Sequence, residues 1–276
     1  MTVTTSTIVF FHAHPDDEAL ISAGTIARSV DAGHRVVLVL ATDGGAGTFD
    51  PGLLSAGETL ADRRKREARD SADALGVHRL AFRGYADSVF EADPQLGWPT
   101  ESFCAAEPAE AVERLIAILR EEHAALLIAD DCVGGYGHHD HLRVHQVATS
   151  AAAALDLPFL EVTIDREFLS GGIELAASLG LEVPDGFVPP DTSNWYTSHS
   201  QLTHVVDVSG VLDRKRASMA AHATQASSES ADSVRTLAVF IGLPEDIFAI
   251  AFATEWFVAH QEIPADFSDL FVPVAQ

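Results

Sequence analysis

Cysteine is nearly absent: Cys104 and Cys132 are the only two in 276 residues. They are far apart and lack a metal-type spacing, which excludes a disulfide framework and a cysteine-bound metal and leaves two reduced thiols. Basic side chains are scarce as well. Against 41 Asp and Glu stand 17 Lys and Arg, a formal net charge of -24. Such a field repels nucleic acid and anionic membrane surfaces, so neither is expected as a partner. Also missing are a basic segment followed by an apolar one at the start, and any apolar run of membrane-spanning length. The expectation is a soluble, cytoplasmic protein. With no internal repeat and no low-complexity linker, residues 1–276 read as one domain, a core over 1–165 and a smaller lobe over 166–276. What the chain does have is an ordinary globular balance, 47% hydrophobic and 21% charged, enough to bury a core.

Through the first 165 residues, apolar runs alternate with amphipathic ones. Ile8–Phe11, Arg35–Ala41, Leu80–Arg83, Ala124–Ala129 and Pro158–Thr163 predict five strands; Arg35–Ala41 is rich enough in β-branched residues to be buried on both faces. Helices are predicted between them, over Ala19–Ala27, over 58–75 with Gly76 as the stop, from Pro108 to Glu122, and from His138 to Leu155. This alternation predicts an α/β fold: a Rossmann-like, doubly wound, mostly parallel sheet. In the order 3-2-1-4-5, the loops after strands one and four meet at the switch point, where open α/β sheets bind ligands. The last third changes character. A helix over Gly171–Gly180, a loop over Val183–Asp191, a strand over Leu202–Val208, helices over Val211–Ala223 and Ala231–Gly242, and a late strand at Thr254–Val258 predict an α+β lobe covering one rim of the site.

Both chemistry-bearing clusters fall in the two converging loops. The first is His12-Ala13-His14-Pro15-Asp16-Asp17-Glu18, between a strand and a helix. His14 and Asp17 are three apart, so at a helix start they can converge on one point. An imidazole and a carboxylate suit a divalent transition metal, zinc first, with iron(II) also compatible. Asp16 lies between them and faces the same cavity without ligating. The second cluster is His138-His139-Asp140-His141, followed by His145. His141 is assigned as the third ligand; three protein ligands leave a position open, as a catalytic zinc site requires. His145 is one turn further on and reads as a supporting or surface residue. The glycines of residues 44–47 follow the second strand rather than the first, so they are not a dinucleotide fingerprint.

Ala13-His14-Pro15-Asp16-Asp17-Glu18 together with Gly137-His138-His139-Asp140-His141 resembles the LmbE-like (PIG-L) family of zinc-dependent N-acetylglucosaminyl deacetylases. Thr42-x-Gly44-x-x-Gly47, Arg64, Glu67, Leu75-Gly76-Val77 and Asp87-Ser88 fall at family-like positions. Tyr136-Gly137-His138 and Ala221-His222-Ala223-Thr224-Gln225 look like actinobacterial members that deacetylate a glucosaminyl-inositol or cleave thiol conjugates. The motifs cover the first 145 residues well and the lobe thinly. The resemblance implies zinc on His14, Asp17 and His141, and Asp16 as general base. It makes His138 the stabiliser of the oxyanion or acid for the leaving amine, with Asp140 tuning its charge, and Tyr136 the group that polarises the carbonyl. Arg64, Asp87 and the apolar Phe90 would contact substrate. The implied partner is a small amino-sugar substrate; a homo-oligomer is compatible.

The chain departs from the family at His139, where proline is frequent, and at Gly45, where many relatives carry glutamate. An amidase of a thiol conjugate or natural-product glycoside shares this centre and differs in residues 85–105 and 185–200. A metal-dependent binding protein would keep the fold without turnover. Other residues have plainer readings. His12 supports the site or packs in the core, Trp98, Trp195 and Tyr196 are rim residues or platforms for a sugar ring, His222 is a helix-surface histidine or one that reaches the site from the lobe, and Cys132 is no nucleophile.

Overall fold

A computed structural model describes residues 5–90, 95, 97–178, 191–227 and 236–274. Strands β1 (Thr7–His12), β2 (Arg35–Thr42), β3 (Arg79–Tyr85), β4 (Ala124–Asp130) and β5 (Phe159–Thr163) lie parallel in the order β3-β2-β1-β4-β5. Three more strands, β6 (His204–Asp207), β7 (Thr254–Ala259) and β8 (Val272–Pro273), extend the same sheet antiparallel beyond β5, in the order β7-β6-β8. The fold is therefore the α/β, doubly wound, mostly parallel sheet that the apolar runs predict.

The central strands alternate their buried side chains between two layers. Val9, Phe11, Val37, Val39, Leu127 and Ala129 face α4 (Pro108–Glu121) and α5 (His139–Leu155), through residues such as Leu115, Ile118, Val144 and Ala148. Ile8, Phe10, Val36, Leu38, Leu126 and Ile128 face α2 (Ala23–Asp31) and α3 (Leu60–Leu75), and share that layer with Val206, Phe257 and Phe267 from the last third. A sheet buried on both faces needs continuous apolar strands, which is what β1 and β2 supply. Helix α3 starts on Thr59, whose side chain accepts from the Asp62 N–H, and ends at Gly76 in the left-handed region (φ 76°).

Some elements differ from the sequence reading. The first helix is two: α1 (Asp17–Ile21) stops at Ser22, whose backbone leaves the helical region, and α2 restarts at Ala23. Helix α6 runs Arg166–Ser178, starting earlier than expected because Asp165 accepts from the N–H groups of Glu167 and Phe168. The helix expected over 211–223 divides into α7 (Leu212–Ala221) and α8 (Ala223–Ala226). Helix α9 is described over Thr236–Ile241; the rest of its expected start lies outside the described residues, as does nearly all of the loop expected over 183–191. Helix α10 (Glu245–Phe252) and strand β8 were not anticipated. Among the described residues, no helix is long and apolar enough to cross a membrane.

Candidate active site

The loops after β1 and β4 sit side by side because their strands pair directly, Phe11 opposite Ala129. The first loop is a tight turn. The His14 N–H donates to Asp17 Oδ2 (2.7 Å), and Asp16 takes a left-handed conformation (φ 111°) that a non-glycine residue adopts only when its surroundings impose it. In the second loop His138 caps α5, its Nδ1 accepting from the Asp140 N–H (3.1 Å). Asp140 and His141 follow on the first helical turn.

His14, Asp17 and His141 each offer one ligand atom, and these atoms all lie within 4.8 Å of one another. His14 Nδ1 is 3.5 Å from Asp17 Oδ2, and His141 Nε2 is 3.5 Å from Asp17 Oδ1. Each imidazole is backed by a carboxylate on its other nitrogen. His141 Nδ1 lies 2.8 Å from Asp130 Oδ2, and His14 Nε2 lies 3.2 Å from Asp140 Oδ2. Such partners fix tautomer and ring orientation, turning the remaining nitrogen toward Asp17. His141 Nε2 is buried and has no hydrogen-bond partner, as expected of a nitrogen reserved for a metal. Two imidazoles and a carboxylate fit zinc or iron(II). A second group, His14, Asp87, His138 and Asp140, is equally compact, but there the Asp140 carboxylate already accepts from His14 and from the Ser88 N–H (2.9 Å) and hydroxyl.

The site's electrostatics follow from burial and these pairings. Burial pushes the Asp17 carboxyl up, yet the imidazoles of His141 and His14 outweigh it and hold Asp17 far below the usual carboxylate range. Burial lowers His141, but Asp17 and Asp130 raise it to about 9, a field that favours any cation at this point. Asp16 behaves oppositely. Burial pushes it up, Arg64 pulls it down, Asp17 pushes it up again, and it reaches about 6, close to neutrality where a general base is effective. His138 is driven down to about 3 by burial and by the neighbouring His14 and His141. It is a neutral ring whose Nδ1 accepts from the Asp140 N–H, so its Nε2 carries the hydrogen and is a donor. Tyr136 stays a protonated donor too, because burial and then Asp17 and Asp16 raise its hydroxyl.

Several residues sit differently from their expected roles. Asp140 meets His138 through its backbone, while its carboxylate serves His14 and Ser88. Arg64 is turned inward and buried: its guanidinium donates to the carbonyls of Pro15 and Gly44 and lies 2.9 Å from Asp16 Oδ1. The glycines of the loop after β2 make room for it, since a Cβ at Gly47 would come within 2.9 Å of Arg64 Nη1. Asp87 Oδ2 lies 3.8 Å from His14 Nε2, and Asp87 Oδ1 accepts from the Val89 N–H. Phe90 is an exposed rim residue, its ring 5.4 Å from His138 and 5.6 Å from Tyr136. Trp195 flanks Tyr136 at 6.0 Å, and Trp98 packs on His139 at 4.9 Å. Neither His139 nor His145 joins a ligand group among the described residues. Cys132 is exposed, with its thiol pushed up to about 11 by burial of the sulfur and by Glu161, the state of an unreactive cysteine.

Two site residues, Asp130 and Glu18, were given no role by the sequence, and for His222 the structure decides between two readings. Asp130 ends β4 and joins His12 Nδ1 (2.7 Å) as well as His141, while His12 Nε2 meets the Ser22 hydroxyl (2.8 Å). Glu18 is wholly buried. It accepts from the Asp16 N–H (3.1 Å) and the Ser71 hydroxyl (2.6 Å), and pairs with His222 Nε2 at 2.6 Å. His222 is thus no helix-surface histidine: it is fully buried, because the Glu18 carboxylate needs a partner inside the protein. Glu18 is the second residue of α1, and its place directly between Asp17 and the apolar Ala19-Leu20-Ile21 was the available signal.

A parallel sheet whose first and fourth strands deliver a His₂Asp set that could hold a metal ion, with a carboxylate and two hydrogen-bond donors beside it, has the makings of a metal-dependent hydrolase. The chain belongs to the PIG-L family: residues 9–152 match it under the description GlcNAc-PI de-N-acetylase. A 1D-myo-inositol 2-acetamido-2-deoxy-alpha-D-glucopyranoside deacetylase from Actinosynnema mirum is 33% identical over 232 residues, covering 79% of this chain and 80% of the relative. The protein of the same name from Nocardioides is 30% identical over 286 residues, covering 91% and 90%. Among solved structures, the zinc-inhibited form of a teicoplanin deacetylase shares the fold with a TM-score of 0.59 at 16% identity, over 94% of this chain and all of that one.

Proposed function

We propose that the protein is a metal-dependent N-deacetylase that removes the acetyl group from an N-acetylglucosaminyl small molecule, with a glucosaminyl-inositol the first substrate to test. The observation that carries this reading is the His14–Asp17–His141 donor set with the neighbouring Asp16 carboxylate held 2.9 Å from the buried Arg64 guanidinium. Membership of a de-N-acetylase family and similarity to inositol-linked GlcNAc deacetylases support it. Zinc is the proposed metal, and residues 1–276 are read as one catalytic unit acting in the cytoplasm.

Amide hydrolysis needs an activated nucleophile, a polarised carbonyl and a proton for the departing nitrogen. His14, Asp17 and His141 would hold the zinc, which when bound would supply Lewis acidity to the water and the carbonyl. Asp16 takes a proton, its carboxylate aligned by Arg64 and its backbone by Glu18. The His138 Nε2–H and the Tyr136 hydroxyl donate to the carbonyl oxygen as charge grows on it. The proton taken up by Asp16 returns to the amine. Phe90 and Trp195 offer apolar faces to the sugar ring at the rim, and Asp87 serves a substrate hydroxyl. Arg64 acts here on Asp16 rather than on substrate.

The test is acetate release from a panel of N-acetylglucosaminides, including the inositol conjugate, by zinc-reconstituted protein. Chelator-sensitive release with a preference for the inositol conjugate is expected. Stoichiometric zinc without release from any member would overturn the deacetylase reading.

A further inference from the structure

Two side chains hold Asp16. The Glu18 carboxylate accepts from its N–H (3.1 Å), and the Arg64 guanidinium lies 2.9 Å from its Oδ1. A left-handed aspartate (φ 111°) persists only under such outside support. Both supports are themselves held from one short stretch of the last third, the joint between α7 and α8. His222 Nε2 meets Glu18 Oε1 at 2.6 Å. Two residues on, Thr224 donates its N–H and its hydroxyl to Glu67 (3.0 and 2.6 Å). Glu67 follows Arg64 by three positions on α3, so the two share a helix face. Gln225 donates to the Thr48 carbonyl (3.3 Å) in the loop after β2, and the Gly44 carbonyl of that loop accepts from Arg64 (2.8 Å).

The joint is more polar than packing requires. Glu18, Glu67, His222 and Thr224 are all buried, and His222 Nδ1 is buried without a hydrogen-bond partner. Apolar side chains of the same volume often stabilise a fold as well as a buried carboxylate and its partner do, and an orphan nitrogen adds a cost. What the polar set supplies is one fixed arrangement. Glu18 Oε1 takes both His222 and the Ser71 hydroxyl (2.6 Å), which is bonded in turn to Ser218 (2.7 Å). The other oxygen, Oε2, is thereby left facing the Asp16 N–H.

Resting on the deacetylase reading, we infer that the α7–α8 joint is a positioning element for the general base: His222 acts through Glu18, and Thr224 through Glu67 and Arg64, to hold Asp16 in its working conformation. The backbone of Asp16 is set by the first route and its carboxylate by the second. Other buried contacts of the last third stop short of Asp16; Lys215, for one, reaches the Leu20 carbonyl and Glu255. A reacting group displaced by about 1 Å loses on the order of 100-fold in rate, so a small shift of Asp16 is enough to be felt.

The experiment measures kcat and KM for acetate release from N-acetylglucosaminyl-inositol, zinc content, and hydrogen exchange at the Asp16 amide. The proteins are zinc-loaded wild type, His222→Leu, His222→Gln, Thr224→Val and Lys215→Met. His222→Leu is expected to lose about 100-fold in kcat, with KM and zinc content unchanged and the Asp16 amide deprotected. His222→Gln still offers Glu18 a donor and should recover most of both the rate and the protection. Thr224→Val should lose a smaller factor, and Lys215→Met should match wild type at the Asp16 amide and in the kcat of its folded fraction. In an Asp16→Asn background His222→Leu should cost little more, because residues that act as a unit are not additive. A merely structural role would cost the same factor in both backgrounds. Folded His222→Leu with normal kcat and a protected Asp16 amide, or with equal losses in both backgrounds, would overturn the inference and leave the deacetylase standing. If His222→Leu does not fold, Thr224→Val decides, and wild-type kcat there overturns the inference. A wild type that releases no acetate from any N-acetylglucosaminide overturns the deacetylase reading, and the role of the joint goes with it.

Discussion

The two halves of the molecule do different work with the same material, buried polar side chains. In the parallel half, β1 to β5, they converge on one point: His14, Asp17 and His141, backed by Asp140, Asp130 and His12. In the half that follows β5, they point back at the first half. Lys215 reaches the Leu20 carbonyl (2.9 Å) and the Glu255 carboxylate, whose oxygens also take the N–H groups of Gly24 and Thr25 (2.8 and 2.7 Å). Thr224 donates to Glu67 through its N–H and hydroxyl, and His222 meets Glu18. Groups of the first kind present a free atom to a ligand, whereas those of the second kind are closed on one another. The contrast separates a centre that does chemistry from a brace that holds it.

That separation is exposed to experiment. The largest effects should fall in the parallel half. His141→Ala removes a ligand and should abolish both zinc binding and acetate release, measured by metal analysis and product assay. Asp16→Asn should keep the zinc and lose about 10²- to 10⁴-fold in turnover, the range of a general base. Asp130→Asn is intermediate: about 10- to 100-fold weaker zinc binding by competition titration, the usual cost of losing a residue that orients a ligand. In the other half, Lys215→Met leaves Glu255 buried without its cation and should cost about 3–5 kcal/mol in urea unfolding. The fraction still folded should turn over at close to the normal rate, and a 100-fold fall in its kcat would break the comparison.

The smallest effect is remote from both halves of the argument. Glu122 is held below its ordinary value of 4.5 by Arg35, against the opposing pull of burial, and then by Arg79. A carboxylate lowered in the folded state stabilises above its unfolded pKa and loses that contribution as pH falls through the folded value. Because both arginines are partly exposed, the pair is worth about 1 kcal/mol or less. The stability gap between wild type and Glu122→Gln should therefore be small at pH 7 and close as the pH is lowered below about 4.

The parallel core and the grouping of His14, Asp17 and His141, the proposed metal donors, were legible in the sequence because both are local patterns. A strand buried on two faces is a continuous apolar run, and His14, Asp17 and His141 lie within short motifs at strand ends. What escaped depended on register or on distant partners. Asp130 is a loop acid until the pairing of β1 with β4 sets it beside His12, and then it orients His141. Arg64 carries a charge that suggests substrate, and only the approach of Gly44 and Gly47 shows that it faces inward onto Asp16. His222 and Glu18 are 204 positions apart, beyond any periodicity. The antiparallel extension was hard to foresee for a similar reason: β8 is two residues long and exists through its pairing with β6.

The Glu18–His222 contact also sets an order of events during synthesis. All three donors and Asp16 have left the ribosome long before His222 is made, yet the carboxylate that accepts from the Asp16 N–H has no imidazole until then. Contacts of such sequence separation form late and slowly. A nascent chain carrying the first 165 residues holds all three proposed donors with Glu18 still lacking its buried imidazole, so the surroundings of Asp16 are completed only when His222 of the last third is in place.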